Sequence, residues 1–206
     1  GLGQNFMNPA LAARCFLLIA YTGPMTKFVY DGVAGATPLA VLKPGGEAEG
    51  AVKLLDMFIG RTGGVIGETS VLAILIGAVI LLYTQIASWK TMLSVFVGGA
   101  LMAAIFNMIG TTVAMCVSPI DHLFLGGFAF GAVFMATDPV TSARTETGKY
   151  IYGFLVGAMA IIIRALNPGY PEGMMLAILL MNVFAPLIDY YVVESNITRR
   201  LKRAVK

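Results

Sequence analysis

The sequence predicts an all-α fold: a polytopic membrane helix bundle with broken, half-length helices and the trace of an inverted repeat. Three observations predict it. Hydrophobic residues make up 58% of the chain and charged residues 12%, with a mean hydropathy of +0.82, against roughly 45–50% and about 25% in ordinary soluble domains. The apolar residues fall in runs near the ~20 residues that cross about 30 Å of hydrocarbon. Some runs stop at Pro or Gly beside polar side chains, and such breaks are tolerated at membrane depth only within protein or along a polar cavity. Residues 1–206 read as one membrane domain. A net charge of +3 gives no reason to expect nucleic acid as a partner.

The chain opens at Gly1 without an initiating Met, a signal n-region or a cleavage site, so it is expected to be the C-terminal part of a longer subunit. Asn8–Tyr21 is a short apolar run. The segment 23–67 is the longest extramembrane piece, too short for a separate domain but long enough for a cofactor platform. Glu68–Ala87, Thr91–Ile109, Lys149–Leu166 and Gly173–Val193 are predicted spans. His122–Ala136 is half-length and ends at Thr137-Asp138-Pro139. Glycines 98–99, 126–127 and 131, with the Gly153/Gly157 pair, permit close helix packing. Cys15 and Cys116 sit in apolar runs and read as buried inert thiols, the alternative being half of a site shared with another subunit.

Charge placement orients the bundle. The basic tail Arg199, Arg200, Lys202, Arg203, Lys206 is expected on the cytoplasmic side. Counting spans back puts the Ala143–Lys149 and Ser88-Trp89-Lys90 turns on that side as well. The Gly110–Asp121 and Asn167–Glu172 turns, which lack Lys and Arg, then fall outside together with the 23–67 loop. One echo stands out: Asn8-Pro9-x-x-x-Ala13-Arg14 and Asp138-Pro139-x-x-x-Ala143-Arg144 repeat 130 residues apart. It reads as coincidence or as the duplicated, Pro-interrupted segments of repeat-built transporters.

Ionisable groups in apolar spans are candidates for function. Asp138, with Thr137 and Thr141, offers oxygens to a hard cation such as Na⁺, or simply a helix cap. Asp189 suits an ion path, or a pairing with Arg199 or Arg200. Glu172 reads as a helix-terminus residue, and Arg164 as a snorkelling cation or a contact for an anionic cofactor. The lone His122 excludes bis-histidyl haem within the chain.

In the loop, Asp31-Gly32-Val33-Ala34-Gly35-Ala36-Thr37-Pro38-Leu39 leaves the Thr37 hydroxyl open among small residues, with Pro38 stiffening the backbone beyond it. Asp31 stands six residues upstream, where it could orient a metal or an incoming group. The segment is an ordinary Gly/Ala turn or a flavin attachment site, for it resembles the D-x-x-[ST]-G-A-T signature at which a flavin transferase esterifies FMN phosphate onto a threonine. Gly60–Ser70 is a second constellation. A glycine-rich turn running straight into a helix offers free N–H groups to a phosphate or ring carbonyl, with Arg61, Gly64, Gly67 and Glu68 as candidate contacts. It lacks the Lys of a nucleotide P-loop, and no strand precedes it.

Taken with Asn5–Leu11, Gly67-Glu68-Thr69-Ser70, Met135–Val140 and Tyr170–Met175, these motifs make nearly the whole chain resemble the NqrB subunits of the Na⁺-translocating NADH:quinone oxidoreductases. The homologous RnfD subunits of the Rnf ferredoxin:NAD⁺ oxidoreductases are the alternative; Glu172, the Met174–Met175 pair and the basic tail favour the former. A non-redox ion or solute transporter is the rival class. The resemblance implies a bacterial inner-membrane subunit whose Thr37 carries FMN through a phosphoester, installed on the external, periplasmic face by a flavin transferase. It implies electron relay toward a quinone such as ubiquinone, other subunits as partners, membrane lipid around the bundle, and Na⁺ uptake and passage involving Asp138 and Asp189. Riboflavin is implied for the family's N-terminal spans. Ala34 departs from the pattern, since flavinylation motifs commonly carry Ser or Thr there.

Overall fold

The computed structural model describes residues 5–25, 28–30, 33–35, 54–65, 67–112, 114–167 and 172–204. Its elements are α1 (Pro9–Ala20), α2 (Thr22–Met25), a two-stranded antiparallel hairpin β1 (Phe28–Tyr30) and β2 (Val33–Gly35), α3 (Leu54–Ile59), α4 (Val71–Tyr83), α5 (Trp89–Ile109), α6 (Pro119–Phe124), α7 (Phe128–Phe130), a π-helical turn Gly131–Met135, α8 (Glu146–Leu166) and α9 (Met174–Ala204). The expected all-α membrane bundle is what forms. Among the described residues, α5, α8 and α9 are long and apolar enough to cross a membrane.

The bundle is organised by α5 and α8, of 21 residues each, about 32 Å at 1.5 Å per residue. They run parallel in one register. Lys90 meets Glu146, Ser94 Oγ donates to the Tyr150 carbonyl, and Gly98 lies on the backbone of Phe154. Each partner is thus 56 positions further along. Glycine makes this approach possible: a Cβ on Gly157 would land on the Val95 carbonyl, and one on Gly153 would stand 2.7 Å from the Thr91 carbonyl. The expected Gly153/Gly157 packing is therefore the contact itself.

Two parallel neighbours require the chain to return between them, and residues 110–145 make that return in pieces. Gly110, at φ 58°, ends α5. The break expected in His122–Ala136 is larger than a half-length helix implies. α6 stops at Phe124, the chain turns through Gly126 and Gly127, and α7 widens into a π-turn closed by Ala136 N–H donating to Gly131 O at 2.7 Å.

α9 runs antiparallel to α8. The Tyr152 hydroxyl donates to Asn182 Oδ1 at 2.8 Å, and Asp189 reaches Thr145. Where the span was expected to end at Val193, the helix continues to Ala204, 31 residues in all, with Pro186 inside it and the basic residues 199–203 on its last turns. These stand beyond the start of α8, at the end of the bundle that carries Lys90 and Lys149. Asn182 has its Nδ2 buried without a partner among the described residues, and Pro186, four residues on, has no N–H for the Asn182 carbonyl.

Two expectations are corrected. Glu68–Ala87 was expected to span, but its helix is the 13-residue α4, ended by Thr84 and by Gln85 at φ 56°. At about 20 Å it is too short to cross. Its buried stripe Val71, Ile74, Ala78 packs on the α7–π segment, with Gly77 admitting the Phe134 ring. Cys116 is exposed rather than buried, and Cys15 half-buried.

Candidate functional site

Both Asx-Pro motifs fold alike at their first step and touch each other. Asn8 Oδ1 accepts from Ala10 N–H at 3.0 Å and Leu11 N–H at 3.3 Å, capping α1, with Pro9 at its first position. Asp138 Oδ1 accepts from Val140 N–H at 3.1 Å. Asn8 Nδ2 then donates to Asp138 Oδ2 at 3.3 Å, joining residues 130 positions apart. Beyond this the likeness ends. Pro9 opens a helix at once, whereas Pro139 opens a turn in which Ser142 N–H donates to Asp138 O, and helix resumes only at Glu146.

The expected oxygen cluster is present at this junction. Thr141 Oγ1 donates to Asp138 Oδ2 at 2.8 Å, and Thr137 Oγ1 donates to Val133 O at 2.6 Å. Thr137 and Thr141 are buried and Asp138 is half-buried. Both hydroxyls use their protons within the turn, leaving oxygen lone pairs, the donor chemistry a hard cation takes. Among the described residues no group of three or more His, Cys, Asp or Glu could hold a metal, so any cation here would rest on hydroxyl and carbonyl oxygens beside one carboxylate.

Asp189 is engaged elsewhere. Its Oδ2 accepts from Arg144 N–H at 2.8 Å, and its Oδ1 from Thr145 N–H at 3.0 Å and Thr145 Oγ1 at 2.6 Å. Thr145 in turn accepts from Gly148 N–H at 3.1 Å. Asp189 thus pins the start of α8 to α9, rather than pairing with Arg199 or Arg200.

At the opposite end, three motif residues converge. Arg14 Nη2 lies 3.2 Å from Glu172 Oε1 and 3.9 Å from Glu68 Oε2, and all three are largely shielded. Gly127, just before α7, lies directly beneath, where a Cβ would stand 2.9 Å from Glu172 Oε1 and 3.3 Å from the Glu68 carboxyl carbon. Arg164 is within Coulombic reach of both carboxylates. It does not snorkel as expected. It is 2% exposed and donates to His122 O at 2.6 Å and Leu125 O at 3.1 Å, supplying partners for carbonyls that the end of α6 leaves without helical ones. The Phe128 ring lies 6.0 Å from its guanidinium. His122 is buried beside it, Nε2 donating to Ala114 O at 2.9 Å while Nδ1 has no partner among the described residues.

Of the flavin-site candidates, Asp31, Ala36, Thr37 and Pro38 lie outside the described residues. Gly35 ends β2, its backbone paired with Phe28. Arg61 is exposed, its N–H donating to Asp56 O. Gly67 is at φ 86° against the Phe130 ring, and Gly64 is closed in by Thr69 Cγ2. The glycines do not run straight into a helix. Glu68–Ser70 intervene, and Ser70 Oγ accepts from Ala73 N–H at 3.3 Å, occupying one of the N–H groups expected to be free.

Sequence reasoning missed Tyr152–Asn182, the Arg14 network and the carbonyl role of Arg164. Polar residues inside apolar runs signalled the first, and the Ala-Arg echo pointed at Arg14. Nothing in a sequence marks which carbonyls a distant arginine will reach.

A π-widened broken segment, a helix opening at Asn8-Pro9 and, among the described residues, three helices long and apolar enough to cross a bilayer define a polytopic membrane helix bundle. The model of the NQR2, RnfD, RnfE family matches residues 1–198, and the chain belongs to that family. The NqrB subunit of the Na⁺-translocating NADH-quinone reductase of Chromohalobacter salexigens is 51% identical over 98% of this chain and 51% of that protein. Its Azotobacter vinelandii counterpart is 50% identical over all of this chain and 53% of its own length, and that of Pseudomonas aeruginosa 49% over 98% and 53%. The chain thus spans about half the length of the curated relatives it matches.

Proposed function

We propose that this chain is the C-terminal membrane part of the NqrB subunit of a Na⁺-translocating NADH–quinone reductase, with FMN esterified through its phosphate to Thr37. Bound there, FMN supplies electron transfer toward a quinone such as ubiquinone. The observation that supports this reading most is the half-identical match of nearly the whole chain to NqrB relatives, while the Asp138 junction provides cation-type oxygens. Arg61 and the backbone about Gly64 and Gly67 suit the flavin's anionic or carbonyl groups. Glu68 presents a carboxylate, so it suits a ring N–H or ribityl hydroxyl and not the phosphate.

In this reading the end bearing Lys90, Lys149 and the basic turns of α9 faces the cytoplasm of a bacterial inner membrane. The loop with Thr37 faces outward, where a flavin transferase reaches it. Na⁺ passes by Asp138, Thr137 and Thr141, with Asp189 holding the turn that presents them. Other subunits of the complex supply the remaining redox centres, and riboflavin belongs to spans outside this chain.

The test is flavin fluorescence of the denatured subunit, co-expressed with a flavin transferase, in wild type and Thr37→Ala. A band that fluoresces in wild type and is dark in the variant is expected. A dark wild-type band, with the transferase active on a control substrate, overturns the covalent flavin and points to Ala34 as the departure responsible.

A further inference from the structure

A cavity of about 590 Å³ opens between the α4–α5 turn, the 137–144 turn and the start of α8. Lys90, Arg144 and Lys149 line it against a single carboxylate, Glu146, leaving two positive charges in excess. Lys149 Nζ lies 2.7 Å from Glu146 Oε1, and Lys90 holds the other oxygen. Arg144 is exposed, and its guanidinium has no partner among the described residues, its backbone N–H alone being taken by Asp189. Thr137 and Pro139 also line the cavity, which therefore borders the Asp138 turn.

The depth of this cavity is set by the helices around it. α5 and α8 both begin here, and their apolar lengths run away from it. Trp89 and Tyr150 meet edge-to-face at 6.3 Å, and Lys90 Nζ stands 5.9 Å from each ring. Indole and phenol rings beside lysines gather at the headgroup level of a bilayer, where an amphipathic ring has both apolar and wet surroundings.

We propose that this cavity binds the phosphate-bearing headgroup of an anionic phospholipid, its phosphate held by Arg144 and Lys149 and its glycerol backbone against Trp89. Excess positive charge selects a net-anionic lipid over a zwitterionic one, since a choline headgroup brings its own cation. The inference rests on the bundle lying in a membrane, and not on the covalent flavin.

The experiment uses the whole complex in detergent, titrated with dioctanoyl-phosphatidylglycerol and followed by native mass spectrometry. Arg144→Gln and Lys149→Gln are each expected to weaken retention about fivefold, the weight of one basic residue at an anionic lipid surface. Glu146→Gln is expected to strengthen it by a similar factor. This opposite direction keeps the test decisive if a cation variant fails to assemble. Dioctanoyl-phosphatidylcholine should be retained poorly, and an equal concentration of inorganic phosphate should displace nothing. Affinity unchanged across the variants overturns the proposal. So does equal retention of the choline lipid, or displacement by inorganic phosphate, which would make the site one for the free ion.

Discussion

The parallel pair α5–α8 and the broken return between them, residues 119–141, are neighbours built on opposite principles. The pair is held backbone to backbone, with Gly98, Gly153 and Gly157 removing what would keep the helices apart. The return is held by individual side-chain hydrogen bonds: Arg164 from α8 to His122 O and Leu125 O, Thr137 within the segment to Val133 O, and Asn8 to the Asp138 carboxylate. Contact that depends on the absence of atoms tolerates no additions. A segment stitched by individual hydrogen bonds weakens one stitch at a time.

Substitutions test this contrast. Gly157→Leu should do most damage, because the new side chain meets the Val95 carbonyl along a rigid face. A cost of about 3 kcal/mol or more is expected, read as loss of folded subunit in a detergent thermal melt. Arg164→Met should follow, at about 2–4 kcal/mol, since it leaves two buried carbonyls without their donor. Hydrogen exchange should then rise across 119–130 while the α5–α8 amides stay protected. Uniform exposure of both regions would erase the distinction.

Asn8→Ala should cost about 1 kcal/mol, read in the same melt. Asn8→Ser divides that loss, since serine caps α1 but cannot span to Asp138. If serine restores full stability, the Asn8–Asp138 contact contributes nothing. Thr137→Val should have the smallest effect, about 0.5 kcal/mol or less, because a hydroxyl bonded to the carbonyl four residues back stabilises a helix little. Its readout is the melting temperature of the purified subunit.

The same contrast governed what was legible in the sequence. Gly153/Gly157, the apolar runs of α5, α8 and α9, and the stop at Thr137-Asp138-Pro139 are local signals, and each marked its element. The shortness of α4 was not legible. Its apolar letters resume at Ile86-Ala87 after Thr84-Gln85, and the helix ends at the Thr84 cap, where Gln85 takes up a left-handed backbone. Arg164 was visible as a charge in an apolar run, but its partners are backbone oxygens, which every residue possesses. The Arg14–Glu68–Glu172 convergence joins residues up to 158 positions apart, and no spacing rule reaches that far. The echo of Asn8-Pro9 in Asp138-Pro139 did point to a true contact, although the backbones diverge within one turn.

Parallel packing of α5 and α8 also has an electrical consequence. Each helix carries a macrodipole equivalent to about half a positive charge at its N-terminus, and here both N-termini lie at the end that gathers Lys90, Arg144 and Lys149. Peptide dipoles and side chains therefore add to one positive potential, which repels an approaching cation. Asp138, Glu146 and Asp189 are the counterweights, three carboxylates set within or beside that positive collar. Each of these acids lowers the potential locally, so the collar is not uniformly positive, and its three negative points are fixed by the Pro139 turn, by α8 and by α9.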